Sequence, residues 1–384
     1  MSLHTELAAE LADRDVRGLR RVRRLLASPQ RARVTVDGRD YVAFCSNDYL
    51  GLAADPRLAA AAREGIDRYG VGGGASHLIL GHGTAHHELE EALAQFVRLP
   101  RALLFSTGYM ANMGVVSALT GRGDAVFADK LNHASLNDAA LVSRAAFKRY
   151  AHNDLDALAR LLATTTARRR LVVTDAVFSM DGDIAPVAAL LELCERHDAY
   201  LFIDDAHGFG VLGEAGRGTL EHFGITSDRI IYMATLGKAA GVAGAFVAGD
   251  ETLIETLIQN ARTYIYTTAT PPLLAHALLA SLQIIAQEEW RRERLRALIA
   301  QLRDGLAVSP WQLMPSETPI QPLLVGGNDA ALALSARLTA TGLLVPAIRP
   351  PTVPQGTARL RISLSADHEA ADVARLVAAL VQPA

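Results

Sequence analysis

The middle of the chain alternates short, continuously apolar runs with longer segments of helical periodicity. The runs RALLFSTG, DAVFAD, RRRLVVTDAVF, AYLFIDDAHG, RIIYMATLGK and GAFVAGD predict strands, whereas YMANMGVVSAL and PVAALLELCERH predict helices. Apolar strands without polar alternation, separated by helices, are typical of a mostly parallel sheet covered on both faces. The pattern therefore predicts an α/β fold in which ligands bind where the carboxyl ends of the strands meet.

The character of the sequence changes near residue 270. A proline pair opens TPPLLAHALLASLQIIAQEEWRRERLRALIAQL, which predicts a long helical stretch, and shorter strand and helix patterns follow it. We interpret the last part of the chain as a smaller α+β C-terminal domain. The predicted division is an N-terminal helix with short strands over 1–45, a large α/β domain over 46–270, and the small domain over 271–384.

Composition narrows the class of protein. Half of the 384 residues are apolar and 21% are charged, which is typical of a globular enzyme with a large core. The net charge of −3 argues against a nucleic-acid partner, and no apolar run approaches the ~18 residues that indicate a membrane span. Cys45 and Cys194 form neither a CxxC pair nor a disulfide framework, which predicts a reducing, cytoplasmic location.

The first 26 residues contain many arginines and predict an amphipathic helix. They lack the apolar core of a signal peptide, and acidic residues such as Glu6 and Asp13 argue against a mitochondrial transit sequence. Either the basic face is simply solvated, or some of its arginines meet an anionic substrate. The candidate arginines are Arg17, Arg20, Arg21, Arg23 and Arg24.

Polar residues and helix-starting glycines follow several of the predicted strands and should therefore share one edge of the sheet. The segment ATLGKAAG places Lys238 there among small residues, where a solvated surface lysine is the simplest interpretation. GKAAG is not a P-loop, because Tyr232 stands where the motif requires glycine and Ala239 where it requires Ser or Thr. The other residues at this edge are Gly108, Tyr109, His133, Ser179, Asp204, His207 and Thr235.

The segment FIDDAHGFG allows three interpretations. Asp204, Asp205 and His207 could ligate a metal, but no HxH or HExxH motif accompanies them, so we expect no metal site. The acids could instead cap a helix, with Gly208 bending the chain. In the third interpretation, Asp204 keeps a heteroaromatic nitrogen protonated while His207 donates to a phenolic oxygen of the same ring.

A phosphate-bearing ring cofactor would account for the whole set of residues. The strand-to-helix turn at Gly108 and Tyr109 offers backbone N–H groups and a helix dipole to an anion, and Ser179 and Thr235 add hydroxyl groups. A lysine for a Schiff base, a carboxylate for a ring nitrogen and a phosphate cup are what pyridoxal 5′-phosphate requires. The sequence therefore predicts this cofactor, and the small residues around Lys238 leave room for its ring.

The chain resembles the α-oxoamine synthases, pyridoxal-phosphate enzymes that condense an amino acid with an acyl thioester and release CO₂. The resemblance covers nearly the whole chain and rests on the blocks SNDYLGL, GGGASHLILGH, LNHASL, VFSMDGDIAP, DDAHGFG, TLGKAAG, TTATPP and AIRPPTVPQGTARLRISL, in this order. It implies an α/β fold of the fold-type I transferase kind and a homodimer with shared active sites.

The block AIRPPTVPQGTARLR favours one activity within this family. It implies the condensation of L-alanine with a pimeloyl thioester, carried by coenzyme A or by acyl carrier protein, in biotin biosynthesis. One alternative is a sister synthase that uses glycine or serine with another acyl thioester. The other is a catalytically silent subunit, which should lack the lysine or its partners.

The resemblance implies catalytic roles for four residues. Lys238 would form the Schiff base, Asp204 would pair with the pyridine nitrogen and His207 with the phenolic oxygen, while His133 would stack on the ring and touch the substrate. The other residues implied to line the cofactor and its phosphate are Gly108, Tyr109, Ser179 and Thr235, with Thr267 and Thr268 reaching the phosphate of the neighbouring subunit.

The resemblance also implies two groups of substrate-binding residues. Arg361 would hold the carboxylate of the amino acid, with Asn47 nearby. Thr352 and an N-terminal arginine would meet the acyl substrate. We prefer Arg21 for this role, and spacing alone leaves Arg20 open.

Overall fold

Three β-sheets organise the chain in the computed structural model, which describes residues 2–381. The strands are β1 Arg33–Val36, β2 Arg39–Ala43, β3 Arg101–Phe105, β4 Ala125–Asp129, β5 Ala146–Tyr150, β6 Arg170–Asp175, β7 Tyr200–Asp204, β8 Ile230–Thr235, β9 Ala245–Gly249, β10 Gln312–Leu313, β11 Ile320–Gly326, β12 Leu343–Leu344, β13 Ala347–Ile348 and β14 Ala358–Ser363. The helices are α1 Leu3–Val16, α2 Pro56–Tyr69, α3 Thr84–Val97, α4 Gly108–Leu119, α5 Ala134–Ser143, α6 Leu155–Thr164, α7 Val187–Arg196, α8 Thr219–Phe223, α9 Glu251–Asn260, α10 Arg262–Ile265, α11 Pro272–Gln287, α12 Trp290–Leu306, α13 Asn328–Ala340 and α14 Ala370–Val381. A π-helical turn at His77–Gly81 precedes α3.

The largest sheet has the strand order β3-β9-β8-β7-β6-β4-β5. Strands β4 to β8 run parallel to their neighbours among themselves, whereas β9 is antiparallel to both β3 and β8. Leu201 and Ile203 of β7 pack into the apolar cluster on one face, and Phe202 packs into the cluster on the other face. The predicted α/β fold with a mostly parallel, doubly covered sheet is confirmed, and burial on both faces explains the continuous apolar runs.

The two smaller sheets contain antiparallel strand pairs. Strands β10, β11, β14 and β13 form an antiparallel sheet in the last part of the chain. Strands β1 and β2 form a hairpin, and β12 joins it in parallel, with Leu343 beside Val42 and Leu344 beside Ala43. The strands near the N-terminus are therefore tied to the part of the chain that follows α13. The three-part domain division stays a prediction.

The N-terminal helix is shorter than its sequence pattern predicts. Ser2 caps α1 by accepting a hydrogen bond from the backbone N–H of Thr5, and the helix ends at Val16. Gly18 has a φ of 62°, a left-handed conformation that glycine adopts without steric cost and that ends the helix. The prediction of a helix through residue 26 is therefore wrong, and Arg20 and Arg21 lie outside α1.

The long helical stretch after residue 270 is divided into α11 and α12. The proline pair does open it, since Pro271 caps α11. The break comes at Glu288, whose carboxylate accepts hydrogen bonds from Arg57 Nη1 at 2.6 Å and from Arg291 Nε at 2.7 Å. The break therefore coincides with an ion-pair cluster, and no glycine or proline marks it in the sequence. Among the helices within residues 2–381, none has the length and apolar character needed to cross a membrane.

Candidate active site

The carboxyl ends of β6, β7 and β8 bring the central polar residues together. Asp175, the last residue of β6, pairs in register with Asp204, the last residue of β7, and Asp204 pairs with Met233 of β8. Lys238 follows the end of β8, in a short loop after Thr235. The candidate site therefore forms at the edge of the sheet where the sequence predicts it.

A chain of hydrogen bonds leads from Lys238 to Asn47. Lys238 Nζ lies 2.9 Å from His207 Nε2, and His207 Nδ1 lies 2.6 Å from the hydroxyl oxygen of Tyr49. The Tyr49 hydroxyl donates to Asn47 Oδ1 at 3.2 Å. These contacts are all satisfied when His207 carries its proton on Nδ1, because Nε2 then accepts from the lysine and Nδ1 donates to the tyrosine. The imidazole is thereby fixed beside the lysine.

Burial changes the protonation of this pair. Loss of solvent lowers the pKa of Lys238 to about 8, although the carboxylates of Asp204 and Asp175 act in the opposite direction. Burial, followed by the charges of Lys238 and Arg361, lowers the pKa of His207 well below its ordinary value. His207 is therefore neutral at neutral pH, and Lys238 has a far larger neutral fraction than a solvated lysine. A neutral amine is what a nucleophile or a general base requires.

Asp204 is held rigidly beside this pair. Its Oδ2 accepts from Asn112 Nδ2 at 2.7 Å, and its Oδ1 accepts from the backbone N–H of Ala206 at 3.0 Å. Asn112 also donates to Ser135 Oγ at 2.8 Å, which fixes the amide. A carboxylate has about four acceptor positions, so Asp204 keeps capacity for a further cationic N–H.

His133 lies at the mouth of the site with an exposed side chain. Its backbone N–H donates to Asp175 Oδ2 at 2.6 Å, and its ring Nδ1 lies 2.7 Å from Ser135 Oγ. These contacts orient an imidazole whose face is open. Burial, and then the charge of Asp204, raises the pKa of Asp175 well above its ordinary value, so one proton on Asp175 limits the repulsion between the two acids.

Three residues of the site, Tyr49, Asn112 and Asp175, were not predicted from the sequence. Asp175 lies within the predicted strand RRRLVVTDAVF, just after its apolar part, much as Asp204 follows the apolar residues of AYLFIDDAHG, and that position is the signal that could have identified it. Tyr49 lies within the block SNDYLGL, beside the predicted Asn47. Asn112 carries no sequence signal of its own, because only the packing of α4 against the sheet brings it to Asp204.

The start of α4 provides an anion site next to the lysine loop. Thr107 caps the helix by accepting from the backbone N–H of Met110 at 3.1 Å, and Gly108 is its first residue. A Cβ built on Gly108 would lie 3.9 Å from the Cβ of Thr235, so these two predicted residues are neighbours. The first N–H groups of a helix have no partner within it, which suits an anion. The side chain of Tyr109, the next residue of the helix, is exposed, and its hydroxyl donates to Asp138.

Arg361 lies buried on β14 and joins the small antiparallel sheet to the site. Its Nε donates to the carbonyl oxygen of Ser179 at 2.5 Å, and its Nη1 donates to Ser363 Oγ at 2.8 Å. Both Nη atoms lie 3.3 Å from Asn47 Oδ1. The structure thus brings together Arg361, Asn47 and Ser179, although the carbonyl rather than the hydroxyl of Ser179 makes this contact.

Arg21 and Thr352 line a separate cleft of about 890 Å³ between α1 and the loop after β13. Arg14, Arg17 and Arg349 line the same cleft together with Glu10 and Asp13, which leaves it a net positive charge. Arg20 forms an ion pair with Asp15 at 2.5 Å instead. The geometry therefore places Arg21, rather than Arg20, beside Thr352.

Thr267 and Thr268 lie on a surface segment. Thr268 is exposed and forms a β-bridge with Ser76, whereas Thr267 is half-buried. In the π-helical turn that follows Ser76, Ile79 and Leu80 are 79% and 86% exposed. The threonines thus adjoin a prominent apolar surface of this chain.

These features fit pyridoxal phosphate. The lysine is buried enough to carry a lowered pKa, the carboxylate of Asp204 is fixed with acceptor capacity left, and the imidazole of His133 presents an open face. The start of α4 supplies the anion site that a phosphate requires.

Comparisons with known proteins agree with this geometry. The aminotransferase class I and II family matches residues 39–380. The 8-amino-7-oxononanoate synthase of Nitrosomonas europaea is 68% identical over 98% of both chains. A solved structure of SPT with PLP has a TM-score of 0.93 at 29% identity and covers 99% of this chain and 98% of its own. The solved structure of the 8-amino-7-oxononanoate synthase of Francisella tularensis has a TM-score of 0.78 at 32% identity, and the match covers 89% of this chain and 97% of that chain.

The fold and the lysine-centred site define a pyridoxal-phosphate-dependent transferase of fold type I. Within that class, the chain belongs to the family of 8-amino-7-oxononanoate synthases. The predicted cofactor and the predicted enzyme class are confirmed.

The pKa of Lys238 leads to a test on the cofactor-free protein. The rate at which Lys238 captures pyridoxal phosphate can be followed by absorbance. This rate should rise about tenfold per pH unit below pH 8 and level off above pH 8, because only the neutral amine reacts. In the unfolded chain the lysine has its ordinary pKa, so the rate of capture should instead keep rising up to about pH 10.4. Between pH 8 and about pH 10.4, Lys238 is more protonated in the unfolded chain than in the folded one, so the free energy of unfolding should rise with pH in this range. A folded-state midpoint near 10 would contradict the prediction.

Proposed function

We propose that this chain condenses L-alanine with a pimeloyl thioester to give 8-amino-7-oxononanoate, CO₂ and a free thiol in biotin biosynthesis. The observation that carries the proposal is the buried amine of Lys238 beside Asp204 and His207, in a member of this family. Arg361 supports the choice of an amino acid substrate, because a buried guanidinium next to a catalytic amine can hold a carboxylate bidentately.

Each residue would have a distinct task. When bound, pyridoxal phosphate withdraws electrons from the Cα atom of the amino acid. Lys238 Nζ would take the Cα proton as a general base and later return a proton to the same carbon. Asp204 would keep its negative charge against the ring nitrogen, and His133 would cover the face of the ring. His207 would position the lysine amine through Nε2, and in its other tautomer, with the proton on Nε2 and Nδ1 accepting from Tyr49, it would donate to the phenolic oxygen.

The bond changes balance when one proton comes from water. The deprotonated Cα attacks the thioester carbonyl, a C–C bond forms, and the C–S bond breaks to release a thiolate, which takes a proton from water to become the free thiol. The bond from Cα to the carboxylate breaks next, CO₂ leaves, and the electron pair remaining at Cα takes the proton from Lys238. Arg361 and Asn47 would hold the carboxylate until that step.

The basic cleft supports a site for the acyl donor. Arg21 and Thr352 line it together with further arginines, and coenzyme A and acyl carrier protein are both anionic. Both carriers fit this charge, and the proposal covers either.

We also propose a cytoplasmic homodimer. Ile79 and Leu80 form an apolar surface next to Thr267 and Thr268, which supports a partner subunit whose phosphate site these threonines complete. The unpaired cysteines support a reducing compartment, with Cys194 buried.

The experiment that tests the reaction is a titration of the purified holoenzyme with L-alanine, glycine and L-serine, read by the absorption of the cofactor. L-Alanine should saturate the spectral change at the lowest concentration, and addition of pimeloyl-coenzyme A should then yield 8-amino-7-oxononanoate by mass spectrometry. A stronger response to glycine or serine would favour the sister synthase. A cofactor-loaded protein that responds to none of the three would indicate a catalytically silent subunit.

A further inference from the structure

A second cluster of ionisable side chains lies at the start of α3, outside the residues of the proposed reaction. Among residues 2–381, His82, His87 and Glu90 form a group whose potential ligand atoms all lie within 4.8 Å of one another. His87 and Glu90 lie on consecutive turns of one face of α3, and His82 lies in the segment that leads into the helix. We propose that these three residues bind a divalent transition-metal ion of the Zn²⁺ type.

The hydrogen bonds around the cluster leave the right atoms available. Glu90 Oε1 accepts from the backbone N–H of Leu104 at 2.8 Å, which leaves Oε2 directed towards His82 Nε2 at 3.9 Å. His82 Nδ1 lies 3.2 Å from His77 Nδ1. When His82 donates its Nδ1 proton to His77, its Nε2 carries a lone pair. A second-sphere acceptor of this kind orients metal-binding histidines in many proteins.

The neighbouring His86 is excluded as a ligand. Its Nδ1 accepts from the backbone N–H of Gly83 at 3.1 Å, and its Nε2 donates to the carbonyl oxygen of Thr270 at 2.8 Å. Both ring nitrogens are therefore committed to the protein. His77 is buried, so this second-sphere imidazole is held in place beside His82.

The donor set selects the class of metal. Two imidazoles and one carboxylate suit Zn²⁺, whereas Mg²⁺ and Ca²⁺ prefer sites made of oxygen atoms. Metal–ligand bonds of about 2.0–2.1 Å require ligand atoms roughly 3.3 Å apart in a tetrahedron, so the cluster must contract. His87 Nε2 lies 3.3 Å from Glu91 Oε1, but the side chain of His87 is 65% exposed and can leave this partner to rotate inward. Its exposure also leaves the fourth coordination position to water.

The site would join the segment that follows the π-helical turn to strand β3. His82 follows the π-helical turn that carries the exposed Ile79 and Leu80, whereas Glu90 is anchored to β3 through Leu104. A bound ion would thus fix this apolar turn to the main sheet. The proposed metal site differs from the expectation, drawn from the sequence, that the protein has no metal site.

The test is calorimetric titration of Zn²⁺ into the pyridoxal-phosphate-loaded enzyme without a histidine tag, with the visible absorption of bound Co²⁺ as a second probe. We expect one ion per chain. His87→Ala and Glu90→Gln should each weaken binding by at least about 100-fold, since loss of a second-sphere partner alone costs about 10–100-fold. Both variants should fold, because His87 is exposed and the amide oxygen introduced by Glu90→Gln can still accept from the backbone N–H of Leu104.

His222→Ala is the matched control, because His222 is an exposed histidine on another helix. Its affinity for Zn²⁺ should equal that of the unchanged chain, and the absorption of the cofactor should stay the same in all variants. Absence of Zn²⁺ binding by the unchanged chain, or equal binding by His87→Ala, would overturn the proposal.

Discussion

Lys238→Ala is expected to lower the turnover of L-alanine and pimeloyl-coenzyme A by at least about 10³-fold, because general-base catalysis alone contributes about 10²–10⁴-fold. The variant also loses the amine to which the cofactor attaches. It should still bind pyridoxal phosphate through Asp204 and the start of α4, but borohydride should no longer fix the cofactor to the chain. Steady-state turnover and mass spectrometry of the borohydride-treated protein measure the two effects.

Lys148→Ala is the control for this prediction. Lys148 lies exposed on the edge strand β5, away from the carboxyl-end loops of the central strands. Its removal should leave turnover and borohydride labelling unchanged. Near-normal turnover in Lys238→Ala would refute the proposed role of the lysine, whatever the cofactor content of that variant.

Asp204→Asn should weaken the binding of pyridoxal phosphate by roughly 10²–10⁴-fold, because breaking a buried ion pair costs about 3–5 kcal/mol. The substituted side chain keeps the size of the carboxylate and can still accept from the backbone N–H of Ala206, and its NH₂ group can donate to Asn112 Oδ1 once the Asn112 amide flips. The loss would therefore report the missing negative charge rather than a cavity. Equilibrium binding, followed by the absorption of the cofactor, measures it, and turnover at saturating cofactor should fall as well.

Asp205→Asn separates the charge at residue 204 from general disturbance of this loop. Asp205 accepts hydrogen bonds from Thr219 and Tyr232, and burial raises its pKa to about 7. It is therefore partly protonated at neutral pH, and an amide should replace it with little effect on cofactor affinity. Equal losses in the two variants would contradict a specific pairing of Asp204 with the cofactor ring.

The pattern of apolar runs predicts the central sheet well because burial on both faces leaves a clear signal in each strand. The same logic places Lys238, Asp204 and His207 at one edge, since parallel strands end together. The edge strand β5 gives a weaker signal, because Lys148 and Arg149 are exposed on it. The other edge strand, β3, is buried over most of its length and keeps its apolar run, so exposure of a strand rather than its number of neighbours weakens the signal.

Local sequence fails where distant contacts decide the geometry. The helical pattern after residue 270 continues through Glu288, whereas α11 ends there, at a residue that pairs with Arg57 and Arg291. Asn112 is equally hard to identify from the sequence, because it becomes part of the site only through its hydrogen bond to Asp204, which lies on strand β7. Side chains that act through contacts distant in sequence have no periodicity that would identify them.

The antiparallel edge of the main sheet has a consequence for synthesis of the protein. Strand β3 pairs within the sheet only with β9, and Arg101 meets Gly249, about 150 residues later in the chain. At a ribosomal rate of roughly 5–20 residues per second, β3 waits about 7–30 s for its partner. During that interval its apolar residues Leu103, Leu104 and Phe105 have no strand beside them, and an unpaired apolar edge of this kind favours aggregation until β9 emerges.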